Sequence, residues 1–228
     1  MAAEPVPLRA LLRVAVATTL VVLSFSMLAP VLAVRLQVAG VSTSAIGAFA
    51  MLTFLSVALM VPLMPRVFAR FGVARSYRFG LMLEMLATFG YALTDHYVLW
   101  CVLSVLAGIG AAAAWNGTEA LIAHNAPADR RGRFTGLYQT SLGAALALGP
   151  FLPGLLPLSP RALTVLAAGV LLLAFAVTLT AEVSRLQANR PGSAGMGMVV
   201  ALRRVPALAW VALAGGVFEA GLGSVTAA

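Results

Sequence analysis

Long apolar runs constrain this chain more than any other feature. Six of them lie between residues 12 and 181, and a seventh begins near residue 206 and is still running at residue 228. A helix needs about 20 residues to cross the roughly 30 Å hydrocarbon core of a bilayer. Since 61% of the residues are hydrophobic and only 10% are charged, a water-soluble fold would lack a polar exterior. In lipid each run must be helical to satisfy its own backbone, so the sequence predicts an all-α membrane protein.

The six complete runs are interpreted as transmembrane spans joined by short connections. They are placed at residues 12–34, 44–64, 76–93, 97–123, 134–156 and 161–181. A connection as short as Thr94-Asp95-His96 makes neighbouring spans antiparallel. After the sixth span the chain becomes polar and glycine-rich over residues 186–205, which is typical of a flexible linker.

The beginning of the chain has two interpretations. Arg9 and Arg13 precede an apolar run that ends in Val31-Leu32-Ala33, which loosely imitates a signal-peptide cleavage site. The run is long for the apolar core of a signal peptide, however, and further spans follow it. We therefore expect the first helix to be retained as a span.

The basic residues are distributed unevenly about the spans. All fifteen are arginine, and only Arg35 and Arg161 fall on the side opposite to the N-terminus. By the positive-inside rule this asymmetry predicts a multi-pass protein of the cell (inner) membrane with a cytoplasmic N-terminus. The net charge of +8 does not indicate nucleic acid as a partner, because the arginines lie between apolar runs without interleaved aromatic residues.

A basic segment at residues 62–75 follows the second span. Its Arg70, Gly72 and Arg75 resemble the cytoplasmic loop motif of the major facilitator superfamily, although Pro65 and Ala69 stand where that motif has a glycine and an aspartate. The resemblance implies a cytoplasmic gate formed by Arg66, Arg70, Gly72 and Arg75. An ordinary positive-inside loop is the alternative interpretation.

A second segment carries the same resemblance. Residues 125–133 resemble the family's Pro-x-x-x-Arg-Gly-Arg entry to the fifth helix, and residues 149–154 resemble its Gly-Pro-x-x-Gly-Gly signature, with Pro153 in place of one glycine. The resemblance implies a helix-packing role for Gly143, Gly149, Pro150 and Gly154. Because the signature is associated with proton-driven antiporters, it favours export over uptake.

Members of this superfamily have about twelve spans in two pseudo-symmetric halves. The resemblance therefore implies an N-terminal six-helix bundle at residues 1–185, a cytoplasmic linker at 186–205 and the first helix of a truncated C-terminal half at 206–228. The missing C-terminal half would be the main partner. The alternative is a non-transporting membrane protein, either truncated or dependent on assembly with another chain.

Two acidic side chains fall inside predicted spans, where an ionised carboxylate costs about 2.5–3.5 kcal/mol. Glu84 lies midway along the third span, and Glu119 lies toward the cytoplasmic end of the fourth. No arginine lies in the interior of the six spans, so we expect Glu84 to be neutral unless another half supplies a cation. Two roles stay open for the Glu84 side chain, helix packing and proton binding. For Glu119 a role in transport is favoured over packing. Trp115 lies on the same face of the predicted helix, and this helix lines the cavity in the family that the sequence resembles.

The resemblance implies alternating access, with helices one, two, four and five around a central route. The residues expected along this substrate and ion pathway are Glu84, Trp115, Asn116, Glu119 and Gln139. The function predicted is secondary active transport of a small organic solute, coupled to an ion gradient, with protons as the expected coupling ion.

Other chemistry is excluded by the residues available. There is no G-x-x-x-x-G-K-[ST] loop for ATP. His96 and His124 are the only histidines and Cys101 is the only cysteine, so neither a histidine-ligated metal site nor a thiolate cluster is expected. We therefore expect no cofactor, no metal and no enzymatic activity.

Overall fold

The computed structural model describes residues 8–127 and 129–186, without the side chain of Arg185. This part of the chain is helical and contains no strand, as expected for an all-α membrane protein. The helices are α1 (Leu8–Val38), α2 (Thr43–Met60), α3 (Met64–Phe71), α4 (Val73–Leu93), α5 (Tyr97–Asn125), α6 (Arg131–Leu148), α7 (Leu152–Leu155), α8 (Pro160–Thr178) and α9 (Ala181–Arg185). The predicted seventh helix, and the predicted linker after Leu186, lie outside the described residues.

The six predicted spans correspond to α1, α2, α4, α5, α6 and α8. Four stretches of the described chain are long and apolar enough to cross a membrane: Leu8–Val38, Thr43–Phe71, Tyr97–Asn125 and Pro160–Thr178. Charged residues lower the hydropathy of the other two helices, since α4 contains Arg78 and Glu84 and α6 begins at Arg131. Membrane crossing by α4 and α6 stays a prediction.

The basic segment after α2 is not an open loop, which corrects the sequence interpretation. Val61–Leu63 form a 3₁₀ turn and α3 follows it directly. Pro62 and Pro65 each lie in the first turn of a helical element, where a missing N–H costs nothing. Gly72 then adopts φ 82°, a left-handed conformation that favours glycine, and turns the chain into α4.

The predicted fifth span is also not one continuous helix. The helix α6 ends at Leu148, a 3₁₀ turn covers Gly149–Phe151, and α7 is a single short turn. Pro150 and Pro153 each remove a backbone donor within this stretch, which explains why regular α-helix does not continue.

Small residues set the closest helix contacts. A Cβ added to Gly80 of α4 would lie 2.5 Å from the Gly110 carbonyl of α5, and one added to Gly110 would lie 2.6 Å from the Gly80 carbonyl. Gly108 of α5 lies equally close to α2, since its added Cβ would be 2.7 Å from the Ser56 Cβ. The small-residue run from Gly108 to Ala114 is therefore a packing seam, as its composition indicates.

Buried hydroxyls join three helices at the core. Thr18 of α1 lies 3.0 Å from the Tyr77 hydroxyl of α4 and 2.7 Å from the Thr118 hydroxyl of α5. The Thr118 hydroxyl also donates to the Ala114 carbonyl at 2.9 Å. All three side chains are fully buried, so this network fixes the helices relative to one another.

Arg35 and Arg161, the two arginines set apart by the sequence, meet at the last turn of α4. Arg35 donates to the Tyr91 carbonyl at 2.8 Å and forms an ion pair with Asp95. Arg161 donates to the Ala92 carbonyl at 2.9 Å. The end of α1, the end of α4 and the start of α8 therefore lie together at one end of the bundle.

Arginines of the larger group hold the opposite end of the bundle. Arg13 forms an ion pair with Glu182 at 2.5 Å. Arg78, at the start of α4, donates through Nε to the Thr178 carbonyl at 2.9 Å and through its terminal nitrogen to the Thr180 carbonyl at 3.0 Å. The two groups of arginines that the sequence distinguishes therefore lie at the two opposite ends of one bundle. Which end faces the cytoplasm stays a prediction.

Candidate substrate and ion pathway

The predicted pathway residues of α5 lie on a surface of the bundle. Trp115 and Glu119 are four residues apart, hence one turn apart on the same face, and both are exposed. Asn116 is half-buried, and its side-chain nitrogen donates to the Ala112 carbonyl of its own helix at 2.8 Å. Gln139 of α6 is exposed as well. Three of these four residues are therefore accessible to a ligand, whereas the Asn116 amide is already bonded.

Glu119 makes no hydrogen bond or ion pair within the described residues. The buried phenol of Tyr138, on α6, lies close enough to the Glu119 carboxyl for the two groups to interact electrostatically. An accessible carboxyl without a fixed partner is able to take up and release a proton or to bind a cationic group. A role of Glu119 in proton coupling stays a prediction.

Glu84 lies in a different place, inside the bundle. Its residue is only 7% exposed, and its Oε1 atom has no hydrogen-bond partner within the described structure. The side chain rests against α5, where a Cβ added to Gly110 would lie 3.0 Å from Glu84 Cγ. Glu84 is one of the residues that line a cavity of about 170 Å³ between α1, α2, α4, α5 and α8. Glu84 is therefore not part of the exposed face that carries Glu119.

The predicted gate residues are spread over two helices. Arg66 and Arg70 lie on α3 and Arg75 lies in the first turn of α4, and all three are exposed. The Arg70 guanidinium stacks over the ring of Phe71, 5.5 Å from its centroid. No described residue forms an ion pair with these arginines, so a gate would need a surface from outside this bundle.

The predicted packing signature divides into two groups. Gly149 is buried against α1, and a Cβ added there would lie 2.8 Å from Ser26 Cβ and 3.0 Å from the Met27 nitrogen. Added Cβ atoms at Gly143 and Gly154 would meet nothing within 4 Å among the described residues, and Pro150 is exposed. Among the described residues, Gly149 makes a close helix contact, and a packing role for Gly143, Pro150 and Gly154 stays a prediction.

The principal role of Arg35 does not follow from the sequence. Its side chain is only 7% exposed, its guanidinium lies 4.7 Å from the centroid of the Trp100 ring, and it donates to the Thr164 hydroxyl at 3.2 Å. The position of Arg35 outside the main arginine group is the one sequence signal for it, and that signal indicates topology and not bonding partners.

The described chain is a multi-pass, all-α membrane protein. Its apolar helices make several antiparallel passes, a buried polar network joins them, and charged groups lie at the two ends of the bundle. A family model, described as Major Facilitator Superfamily, matches residues 14–227. The chain therefore belongs to the Major Facilitator Superfamily.

Among curated proteins, an uncharacterized MFS-type transporter of Bacillus subtilis (strain 168), YfkF, is 28% identical over 137 residues. The match covers 60% of this chain and 35% of that protein.

Two solved structures of the peptide transporter POT in complex with sulfate share the fold. One has a TM-score of 0.62 at 15% identity, and it aligns 93% of this chain with 47% of the transporter. The other, of a mutant, has a TM-score of 0.61 at 16% identity over 89% of this chain and 45% of the transporter. This chain thus spans about a third to a half of the length of the relatives it matches.

Proposed function

We propose that this chain forms the N-terminal half of a secondary transporter that moves a small organic solute by alternating access. Family membership supports this proposal, and so does a fold that aligns with less than half of each transporter structure. The exposed Gly143 and Gly154 supply a further argument, because small residues allow close helix approach and no described helix approaches them. A C-terminal half packed there would complete the route.

The observation that carries the functional proposal is the exposed, unpaired carboxyl of Glu119 beside Trp115 and Tyr138. We assign proton coupling to Glu119, with Trp115 and Gln139 lining the route and Asn116 beside them. Arg66, Arg70, Gly72 and Arg75 would form the gate at the cytoplasmic end. The orientation proposed is a cytoplasmic N-terminus in the cell's inner membrane, and the direction proposed is export by antiport.

Proteoliposomes carrying a trapped pH-sensitive dye test this assignment. The protein is expressed together with any segment that continues its reading frame, and it is then purified and reconstituted. A panel of small organic solutes is added under an imposed proton gradient. A transported solute should evoke a proton flux whose rate depends on pH, and Glu119→Gln should abolish that dependence. Asp129→Asn is the matched control, because the Asp129 side chain is exposed on a connecting turn. A Glu119→Gln variant with an unchanged pH profile would exclude Glu119 as the coupling site.

The alternative function is a non-transporting or assembly-dependent membrane protein. It is favoured if no solute in the panel evokes flux while the protein remains folded and monodisperse in detergent. Flux that appears only after a second six-helix chain is added would identify the assembly-dependent case.

A further inference from the structure

The Glu84 cavity combines an apolar wall with one buried acidic group. Its described lining includes Phe25, Phe49, Phe54 and Tyr91, but no arginine. Phe25 of α1 and Phe54 of α2 line the cavity, and both are exposed and pack edge to face with ring centroids 5.9 Å apart. It is therefore accessible from the surface of the bundle at a site separate from Glu119.

No cation of the described protein neutralises Glu84. Arg35 is held by Asp95 and by the ring of Trp100. Arg78 points to the other end of α4, where it donates to carbonyls after α8. Burying a carboxylate without a partner is costly, so Glu84 either keeps a proton or receives its positive charge from a ligand.

We propose that this cavity is a binding site for a small aromatic ammonium ion, with the Glu84 carboxylate as its counter-ion. The Glu84 Oε1 atom has no partner within the described residues and is free to accept a hydrogen bond from the ammonium group. The aromatic side chains offer ring faces and edges, which attract a cation and pack against an aromatic group. The proposal rests on the geometry of the described helices and does not require the transport function.

The size of the cavity sets the size of the ligand. A cavity of about 150 Å³ accommodates benzene, and this one measures about 170 Å³. One aromatic ring with a short ammonium arm therefore fits. Benzylamine, which is protonated at neutral pH, is the probe, and benzyl alcohol is its neutral analogue of nearly the same shape.

Equilibrium dialysis of the whole chain in nanodiscs, with empty nanodiscs subtracted, measures both affinities without any gradient. The wild-type protein should bind benzylamine about tenfold or more tightly than benzyl alcohol, because a hydrogen bond to a charged group is worth roughly that factor. Glu84→Gln should remove this preference and keep the affinity for benzyl alcohol, which also reports that the variant is folded. Asp129→Asn, which removes an exposed carboxyl on a connecting turn outside the cavity, should keep the preference.

Equal affinities in the wild-type protein would overturn the proposal and leave Glu84 as a proton-binding or packing group. A preference that survives Glu84→Gln would overturn it as well. If Glu84→Gln does not fold, Ala29→Phe, at an exposed position in the lining of the cavity, provides the second test. That variant should weaken the binding of both probes, and unchanged binding would show that they bind elsewhere. Because no transport is measured, a negative result here is separate from failure of the Glu119 assignment.

Discussion

Ser26 occupies the space that a side chain on Gly149 would need. The Cβ of Ser26 lies 2.8 Å from the position of an added Cβ, and the Ser26 hydroxyl donates to the Ala145 carbonyl at 3.0 Å, one turn before the break in α6. A glycine at the break and a hydroxyl on α1 thus bring these two helices together.

The first prediction concerns this contact. Gly149→Ala should lower the free energy of unfolding by about 1–3 kcal/mol, because the methyl group overlaps α1 atoms that are held in the core. Thermal unfolding in detergent, followed by circular dichroism, measures the loss. Gly143→Ala is the matched control, since an added Cβ there meets nothing within 4 Å in the described bundle. Equal melting temperatures for the two variants would contradict the close approach.

Much of this fold follows from the sequence, because a membrane allows few solutions. Helix identity and approximate ends came from apolar runs, and the division of charge between two ends came from the arginines. The helical path after α2 does not follow from the sequence, because the arginines and prolines of residues 62–75 are typical of a loop. In the structure Met64 is buried and Val67 and Phe68 are half-buried, so one face of α3 packs on the bundle.

The site was predictable only in part. Trp115 and Glu119 share a face because they lie four residues apart, and helical spacing alone gives that result. The separation of Glu84 from that face depends on which helices pack around α4, and a single sequence does not contain this information. The same is true of Arg35, whose bonds reach α4, α5 and α8 only after the bundle is assembled.

The second prediction concerns the contact between α4 and α5. Gly80→Ala should destabilise the protein more than Gly90→Ala, although both glycines lie on α4. An added Cβ at Gly80 meets the Gly110 carbonyl at 2.5 Å and the Ala114 nitrogen at 2.9 Å, and backbone atoms cannot move aside. At Gly90 the nearest atoms are the δ-carbons of the flexible Leu103 side chain. Melting temperatures in the same detergent decide the order, and a larger loss for Gly90→Ala would contradict this packing.

The third prediction concerns the two arginines at one end of the bundle. Arg35→Gln should lower the free energy of unfolding by about 1–3 kcal/mol, because it leaves the Tyr91 carbonyl without its donor and removes the ion pair with Asp95. Arg161→Gln should cost less, since Arg161 is exposed and makes one hydrogen bond, to the Ala92 carbonyl. Chemical denaturation in mixed micelles measures both values. Similar losses would mean that burial of the Arg35 guanidinium adds nothing to stability.

The fourth prediction concerns which end of the bundle faces the cytoplasm. Arg70 and His96 are both exposed and lie at opposite ends of the antiparallel helices, so each tolerates a cysteine in a Cys101→Ser background. A maleimide that cannot cross membranes should label His96→Cys on intact cells and label Arg70→Cys only after permeabilisation. We expect the arginine-rich end to stay inside, because moving guanidinium groups across the membrane is opposed by their hydration and by the membrane potential. Labelling of Arg70→Cys from outside, with His96→Cys protected, would reverse the orientation and place the proposed gate on the external face.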